Sequence, residues 1–428
     1  MNTNNRITLS VLALFASFAP LPARANSAMI TPAEGYVAED LFSLASPNPR
    51  QPETFGAVGT QLAMYAHYFG LEVVDPETEI VTQSLGRPQD GYIEANTDPY
   101  GTVMVWNSFI TADPSGDALW VGFTNYNNTD DRIYQIDLAS GAWTHKANMA
   151  GNFDLEFFGN TPCVSGLNSS NWDAPNCIWK LDTSGADNHD KLIELIGNSA
   201  GLGVDRQGNI YYGAYRGPDS PAALYRWEAT DVAGAFGPSH LTFAEGTKLA
   251  DLNQGVYGLE VDDVGNVAFD LNSSGGHAVG LWDRSKEPGD ACEIIATGGA
   301  GHWYTVVTTQ GDVTAEGSVF LTDYSTVGIG MLTSTSLVGD LNDDGFIGGD
   351  DLDLVRSYWG QNVPPADVAA DPSGDNFVGG DDLDLVRANW GRGTPPAPAP
   401  VPEPSGAVLL LAGALAWIFY GSKKIEPQ

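Results

Sequence analysis

The chain has 428 residues, with 54 Asp and Glu against 19 Lys and Arg, for a formal net charge of −35 and a pI near 4.1. Such a surface repels phosphate backbones, which excludes nucleic-acid binding as its function. With 50 Gly and 11 Trp, the composition points to many turns around an aromatic-rich β core.

Residues 1–25 read as a secretory signal peptide. Arg6 supplies the positive end, Ile7 to Ala19 the apolar core, and Ala23-Arg24-Ala25 the cleavage site, so the mature chain is expected to begin at Asn26. The stretch from Asn26 to about Tyr100 gives few signals, with Gln61 to Phe69 expected as a short helix.

From about Gly101 to Leu337 short strand-like runs alternate with Gly, Asn, Asp and Pro. Two markers recur. One is an apolar–aromatic pair carrying Tyr134, Trp179, Tyr225 and Trp282, in steps of 45, 46 and 57 residues. The other is a tight turn, Asp113 to Asp117, Asp205 to Asn209 and Asp262 to Asn266, each followed by an apolar run. A period near 45 residues with several strands per repeat is what a β-propeller blade needs, because one blade cannot bury both faces alone. The segment 26–337 is therefore expected to be a propeller-like β domain with room for six or seven blades. A β-sandwich is the runner-up. The D-x-x-G-N turns are similar to those of the degenerate propellers of exported bacterial proteins.

Cys163 and Cys177 flank an Asn/Ser-rich stretch, and in an oxidising compartment they can close it as a disulfide worth about 3 kcal/mol. Cys292 is left over. Gly197 to Gly201 matches G-x-S-x-G, but a turn rather than a helix follows, which argues against Ser199 as a nucleophile. The six His residues show no zinc-ligand spacing. Paired glycosidase carboxylates come from distant segments and leave no local motif.

Residues 338–393 hold a tandem repeat. Asp340 recurs as Asp371 and Trp359 as Trp390, a step of 31 residues. Each copy opens with the ligand spacing of a twelve-residue calcium loop. In loop one the oxygens come from Asp340, Asn342, Asp344, the Phe346 carbonyl and Asp351, with Gly345 at the sharp turn. In loop two they come from Asp371, Ser373, Asp375, the Phe377 carbonyl and Asp382, with Asn376 replacing the glycine. Calcium is a hard cation that takes six to eight oxygens, so Ca2+ is the expected cofactor, with loop two the weaker site. A helix is expected after each loop, carrying Leu352, Val355 and Trp359, then Leu383, Val386 and Trp390, and stopping at Gly360 and Gly391. This duplicated loop and helix resembles the type I dockerin domain. The resemblance implies a cohesin-like or other surface protein as partner, although loop positions 10 and 11 are Gly-Asp here instead of the common Ser-Thr.

Residues 394–404 form a Pro-rich spacer, 406–420 an apolar segment expected as a transmembrane helix, and Lys423 and Lys424 a basic end. Val401-Pro402-Glu403-Pro404 with this tail, residues 401–424, resembles the PEP-CTERM sorting signal. That implies exosortase-type machinery and a Gram-negative envelope or exopolysaccharide matrix. The expected fold is thus mainly β, followed by a small α-helical calcium-loop domain and a membrane helix. The expected function is non-catalytic recognition or attachment at the cell surface, with polysaccharide as a candidate ligand. The alternative is a polysaccharide-active hydrolase or lyase with a docking module. An Asp/Glu pair about 5–10 Å apart in a cleft would favour the enzyme.

Overall fold

The computed structural model describes residues 30–395 and 411–416, apart from 44–51, 98–102, 126–129, 170, 172–174, 183–188, 197–200, 215–221, 238, 253–254, 274–275, 299–303 and 324–327. The signal segment 1–25, Ser199, and most of the spacer 394–404 and the tail 401–424 lie outside the described residues.

Two N-terminal strands, β1 (Ile30–Pro32) and β2 (Tyr36–Leu41), precede the first blade. Blade one is β3 (Thr54–Val58), β4 (Gln61–Ala66), β5 (Gly70–Asp75) and β6 (Ile80–Gly86). A short helix, α1 (Tyr92–Ala95), leads to blade two: β7 (Val105–Ala112), β8 (Ala118–Asn125), β9 (Arg132–Asp137) and β10 (Trp143–Asn148). Blade three is β11 (Asn152–Phe158), β12 (Thr161–Leu167), β13 (Asn176–Leu181) and β14 (His189–Glu194). Blade four is β15 (Leu202–Val204), β16 (Ile210–Ala214), β17 (Ala223–Trp227) and, after α2 (Ala229–Gly234) and β18 (Leu241–Thr242), β19 (Thr247–Asp251). Blade five is β20 (Leu259–Val261), β21 (Val267–Ser273), β22 (Gly276–Trp282) and β23 (Glu293–Gly298). Blade six is β24 (Tyr304–Gln310), β25 (Ser318–Asp323) and β26 (Ile329–Ser334).

The strands of each blade are antiparallel except that β18 pairs parallel with β14 of blade three, and β2 pairs with β26 as the outer strand of blade six. The N-terminus therefore closes a six-bladed propeller, while β1 and β18 add fifth strands to blades five and three. The innermost strands β3, β7, β11, β15, β20 and β24 touch in ring order around the axis. Hydrophobic clusters lie between neighbouring blades all the way round, for example Tyr65 with Phe123 between blades one and two. Six separate sheets with interblade cores correct the sandwich alternative. Gln61 to Phe69 is corrected as well: it is strand β4 and its turn, because its side chains face two neighbouring sheets and are buried on both sides.

The D-x-x-G-N turns join the first and second strands of blades four and five. Asp205 accepts the N–H groups of Gln207 and Asn209, and Asp262 accepts those of Val264, Gly265 and Asn266. The Asn side chain then holds the end of the third strand: Asn209 accepts the Ala229 N–H, and Asn266 accepts the Arg284 N–H. Three marker aromatics hold equivalent third-strand places, with Tyr134 opposite Val121, Trp179 opposite Val164 and Tyr225 opposite Tyr212. Trp282 does not. It lies opposite Val267, just after its turn, where blade four has Trp227 opposite Ile210. The hairpin from β21 to β22 is shorter than that from β16 to β17, so equal sequence spacing reaches different rungs.

Cys163 and Cys177 are free thiols. Cys163 lies opposite Lys180 and Cys177 opposite Gly166, so an odd offset puts the two sulfurs on opposite faces of one sheet, which corrects the proposed disulfide.

After blade six the chain forms a small unit around α3 (Gly349–Ser357) and α4 (Gly380–Ala388). Its core includes Ile347, Val355, Val363, Ala370, Val378 and Val386. Trp359 and Trp390 fall beyond the helix ends and are each 51% exposed, so the expected stripe loses its last member in both copies. The left-handed Gly360 and Gly391 turn the chain after them. Residues 411–416 are helical, and no helix among the described residues is long and apolar enough to cross a membrane.

Candidate functional site

Loop one wraps its backbone around its carboxylates. Asp340 accepts the N–H groups of Asp344 at 3.1 Å and Gly345 at 2.8 Å, and Asn342 also accepts from Asp344 at 3.0 Å. Asp344 accepts from Phe346, whose backbone bridges to Gly393. Asp351 is 1% exposed and reaches back to the N–H groups of Leu341 and Gly348 at 2.8 and 2.7 Å. Burial, with Asp351 and Asp344 nearby, raises the Asp340 carboxyl above the usual range.

Loop two repeats this pattern. Asp371 accepts from the Ser373 hydroxyl at 3.2 Å and from the N–H groups of Gly374 and Asn376 at 3.0 and 3.1 Å. Asp375 accepts from Phe377, which bridges to Asn362. Asp382 accepts from Ser373 at 3.1 Å and Gly379 at 2.7 Å. Asn376 takes the left-handed conformation (φ 64°) that Gly345 takes in loop one (φ 80°), as its place in the loop requires. All ten expected ligand residues thus lie in two matching loops with an all-oxygen donor set, which suits a hard cation. Their carboxylates are engaged by loop N–H groups, and among the described residues no group of three or more His, Cys, Asp or Glu is gathered into a metal-holding cluster. The donor chemistry of the loops fits calcium.

The loops differ in their surroundings. Loop two docks on the first-to-second-strand turns of blades four and five and on the turn after the third strand of blade five. Gln207 donates to the Gly374 carbonyl at 3.2 Å, and the Arg284 guanidinium pairs with Asp371 at 3.3 Å and also reaches its carbonyl. Gly374 is left-handed (φ 71°), and a Cβ there would lie 2.7 Å from the Val264 Cα. Arg392 pairs with Glu316 of blade six. Turns of blades four to six and the helical unit line an open cleft of about 760 Å3.

The axial channel holds a second group. Asp154 and Glu156 project from β11 and Glu260 from β20. Asp154 accepts the N–H groups of Leu202 and Leu155 at 2.9 and 3.0 Å, yet burial pushes its carboxyl up to about 7. Burial raises Glu156 and Glu260 well above the carboxylate range, and Glu260 and Asp154 add like-charge repulsion at Glu156. A narrow section of about 30 Å3 bears Phe55, Phe109, Phe153 and Tyr257. It leads to a vestibule of about 600 Å3 that holds Glu156, Glu260 and Asp263. Sequence reasoning missed these carboxylates. The signal for two of them was present, since Asp154 and Glu156 at i and i+2 share one face of a strand.

No protein-family model and no curated protein matches the chain. Among solved structures, a gluconolactonase from Xanthomonas campestris is similar at 12% identity and TM-score 0.45, covering 74% of this chain and 98% of that one. A calcium-binding protein, regucalcin, from Agrobacterium tumefaciens is similar at 13% identity and TM-score 0.43, covering 69% and 92%. Neither similarity reaches a TM-score of 0.5, and no residue role is carried across.

Proposed function

We propose that this is an exported, envelope-sorted calcium-binding protein. Its propeller recognises a surface or matrix component, such as a polysaccharide, without catalysis, and its dockerin-like tandem module attaches it to a cohesin-like or other surface protein. The observation that carries this is the pair of matching loops, each wrapped around the carboxylates of its first and twelfth positions, on a unit with its own core. Asp340, Asn342, Asp344, Asp351 and the Phe346 carbonyl would hold calcium in loop one, and the corresponding loop-two oxygens a weaker site. The exposed Trp359 and Trp390, one repeat apart, offer the module apolar contact area for a partner. The tail supports PEP-CTERM sorting with a membrane-inserted stage.

Calorimetry with calcium, followed by a glycan array and a hydrolysis screen, tests the proposal. Calcium binding that Asp340→Asn abolishes at loop one, with glycan retention and no product, is the expected result. No calcium uptake, or turnover of a glycan, would overturn it. Mass spectrometry of the protein from its host should find no peptide from 408–428, and an intact tail would leave a plain anchor.

A polysaccharide-active enzyme is the second reading. One specific observation favours it: Glu156 and Glu260, both raised well above the carboxylate range by burial, share a channel with Asp154, an arrangement suited to general acid–base work. Turnover lost in Glu156→Gln and Glu260→Gln would decide for it.

A further inference from the structure

The two loops are near copies in sequence, yet among the described residues only loop two forms an ion pair with a basic side chain. Asp371 and Asp382 of loop two are both fully buried, and each is a ligand position of the same turn. Two carboxylates so placed repel, and a cation beside them offsets that repulsion by its own attraction. The cation present is Arg284. Its side chain is 16% exposed, its guanidinium pairs with Asp371 at 3.3 Å and bonds to the Asp371 carbonyl, and its N–H is pinned to Asn266 at 3.1 Å. Asn266 belongs to the D-x-x-G-N turn of blade five, so the propeller itself presents the arginine. A guanidinium stays charged at every working pH and fits a carboxylate's fork. Among the described residues no Lys, Arg or His forms an ion pair with Asp340, Asp344 or Asp351 of loop one.

We propose that Arg284 is the resident counter-cation of loop two. It takes the electrostatic place of calcium there while the module is docked, leaving loop one as the calcium site of the docked molecule. Loop two gains calcium only when Arg284 withdraws, so loading that loop and releasing the module from blades four and five are linked, each favouring the other. If Arg284 is in place nine-tenths of the time, the apparent affinity of loop two falls about ten-fold. The inference rests on the calcium reading for the identity of the competing ion, and on the ion pair alone for the neutralising role.

Hydrogen–deuterium exchange by mass spectrometry on the full chain reads both loops separately. Wild type, Arg284→Gln and Arg284→Lys are compared in chelator and in millimolar calcium. In wild type, calcium should slow exchange in 340–351 and leave 371–382 unchanged. In Arg284→Gln, 371–382 should exchange roughly ten-fold faster or more in chelator and be slowed by calcium. Arg284→Lys, which keeps the charge without the fork, should fall between, and it carries the test if the Gln variant does not fold. Calcium protection of loop two in wild type equal to that of loop one would overturn the proposal. So would an Arg284→Gln protein indistinguishable from wild type. If neither loop responds to calcium while loop two of Arg284→Gln opens in chelator, the calcium reading fails and the neutralising role of Arg284 stands.

Discussion

Asp270 is fully buried on β21, where it accepts the N–H groups of Tyr257 and Gly258 at 2.6 and 2.8 Å. Burial outweighs those two bonds and pushes its carboxyl up to about 8. In an unfolded chain it would titrate near 3.9. The folded value lies above the unfolded one, so its contribution is fully present below about pH 4 and is lost as pH rises towards 8. Asp154, up to about 7, and Asp262, up to about 6, act in the same direction. Urea unfolding from pH 5 to 8 should therefore show falling stability, with a shallower slope in Asp270→Asn. Equal slopes in both proteins would count against a neutral Asp270. The aromatics give a second residue-scale prediction. Trp227 and Trp282 are 1% and 2% exposed, and each should cost about 3–5 kcal/mol as Ala. Trp179 is half-buried and should cost less. Equal losses at all three would put the interblade cores in doubt.

At the scale of elements, the tandem loops were legible because a calcium loop draws its ligands from one contiguous turn. Asp340 to Asp351 carries the whole pattern in local spacing. The D-x-x-G-N turns were legible for the same reason, since Asp205 bonds within four residues of itself. Blade one escaped because Leu62 to Ala66 is apolar throughout, which reads equally as buried strand or buried helix. The equivalence of Trp282 was misjudged because hairpin length changes rung without changing the markers. Arg284 was invisible as a partner of Asp371, 87 residues away, because that pairing exists only when two domains dock. The docked surface gives its own prediction. Gly374→Ala would strain a left-handed residue and drive its Cβ into Val264. Cleavage by thermolysin, which cuts before apolar residues such as Leu337 and Val338, should then become faster at unchanged propeller melting. Unchanged cleavage would show that the contact does not hold the module.

At the scale of the whole molecule, the ring depends on its first strands. β2 supplies six residues of pairing to β26, and β1 adds an edge to blade five. Deleting residues 26–43 should leave blade six with three strands and expose Ile329 and Phe320 to water. We expect loss of a single cooperative thermal transition, or aggregation. A truncated protein melting within a few degrees of the full chain would show that β2 is dispensable.

That same pairing places Tyr36 beside Ser334 and Leu41 beside Ile329, a clasp between the two ends of the β domain. A chain made from its N-terminus must carry β2 unpaired until nearly three hundred further residues have been synthesised. Blades one to five can order as they emerge, whereas closure waits for the last hairpin of the sixth. The slowest step of maturation should therefore be a search by one tethered strand for one open edge. A peptide copying 36–41, added early, would compete for that edge and hold the ring open.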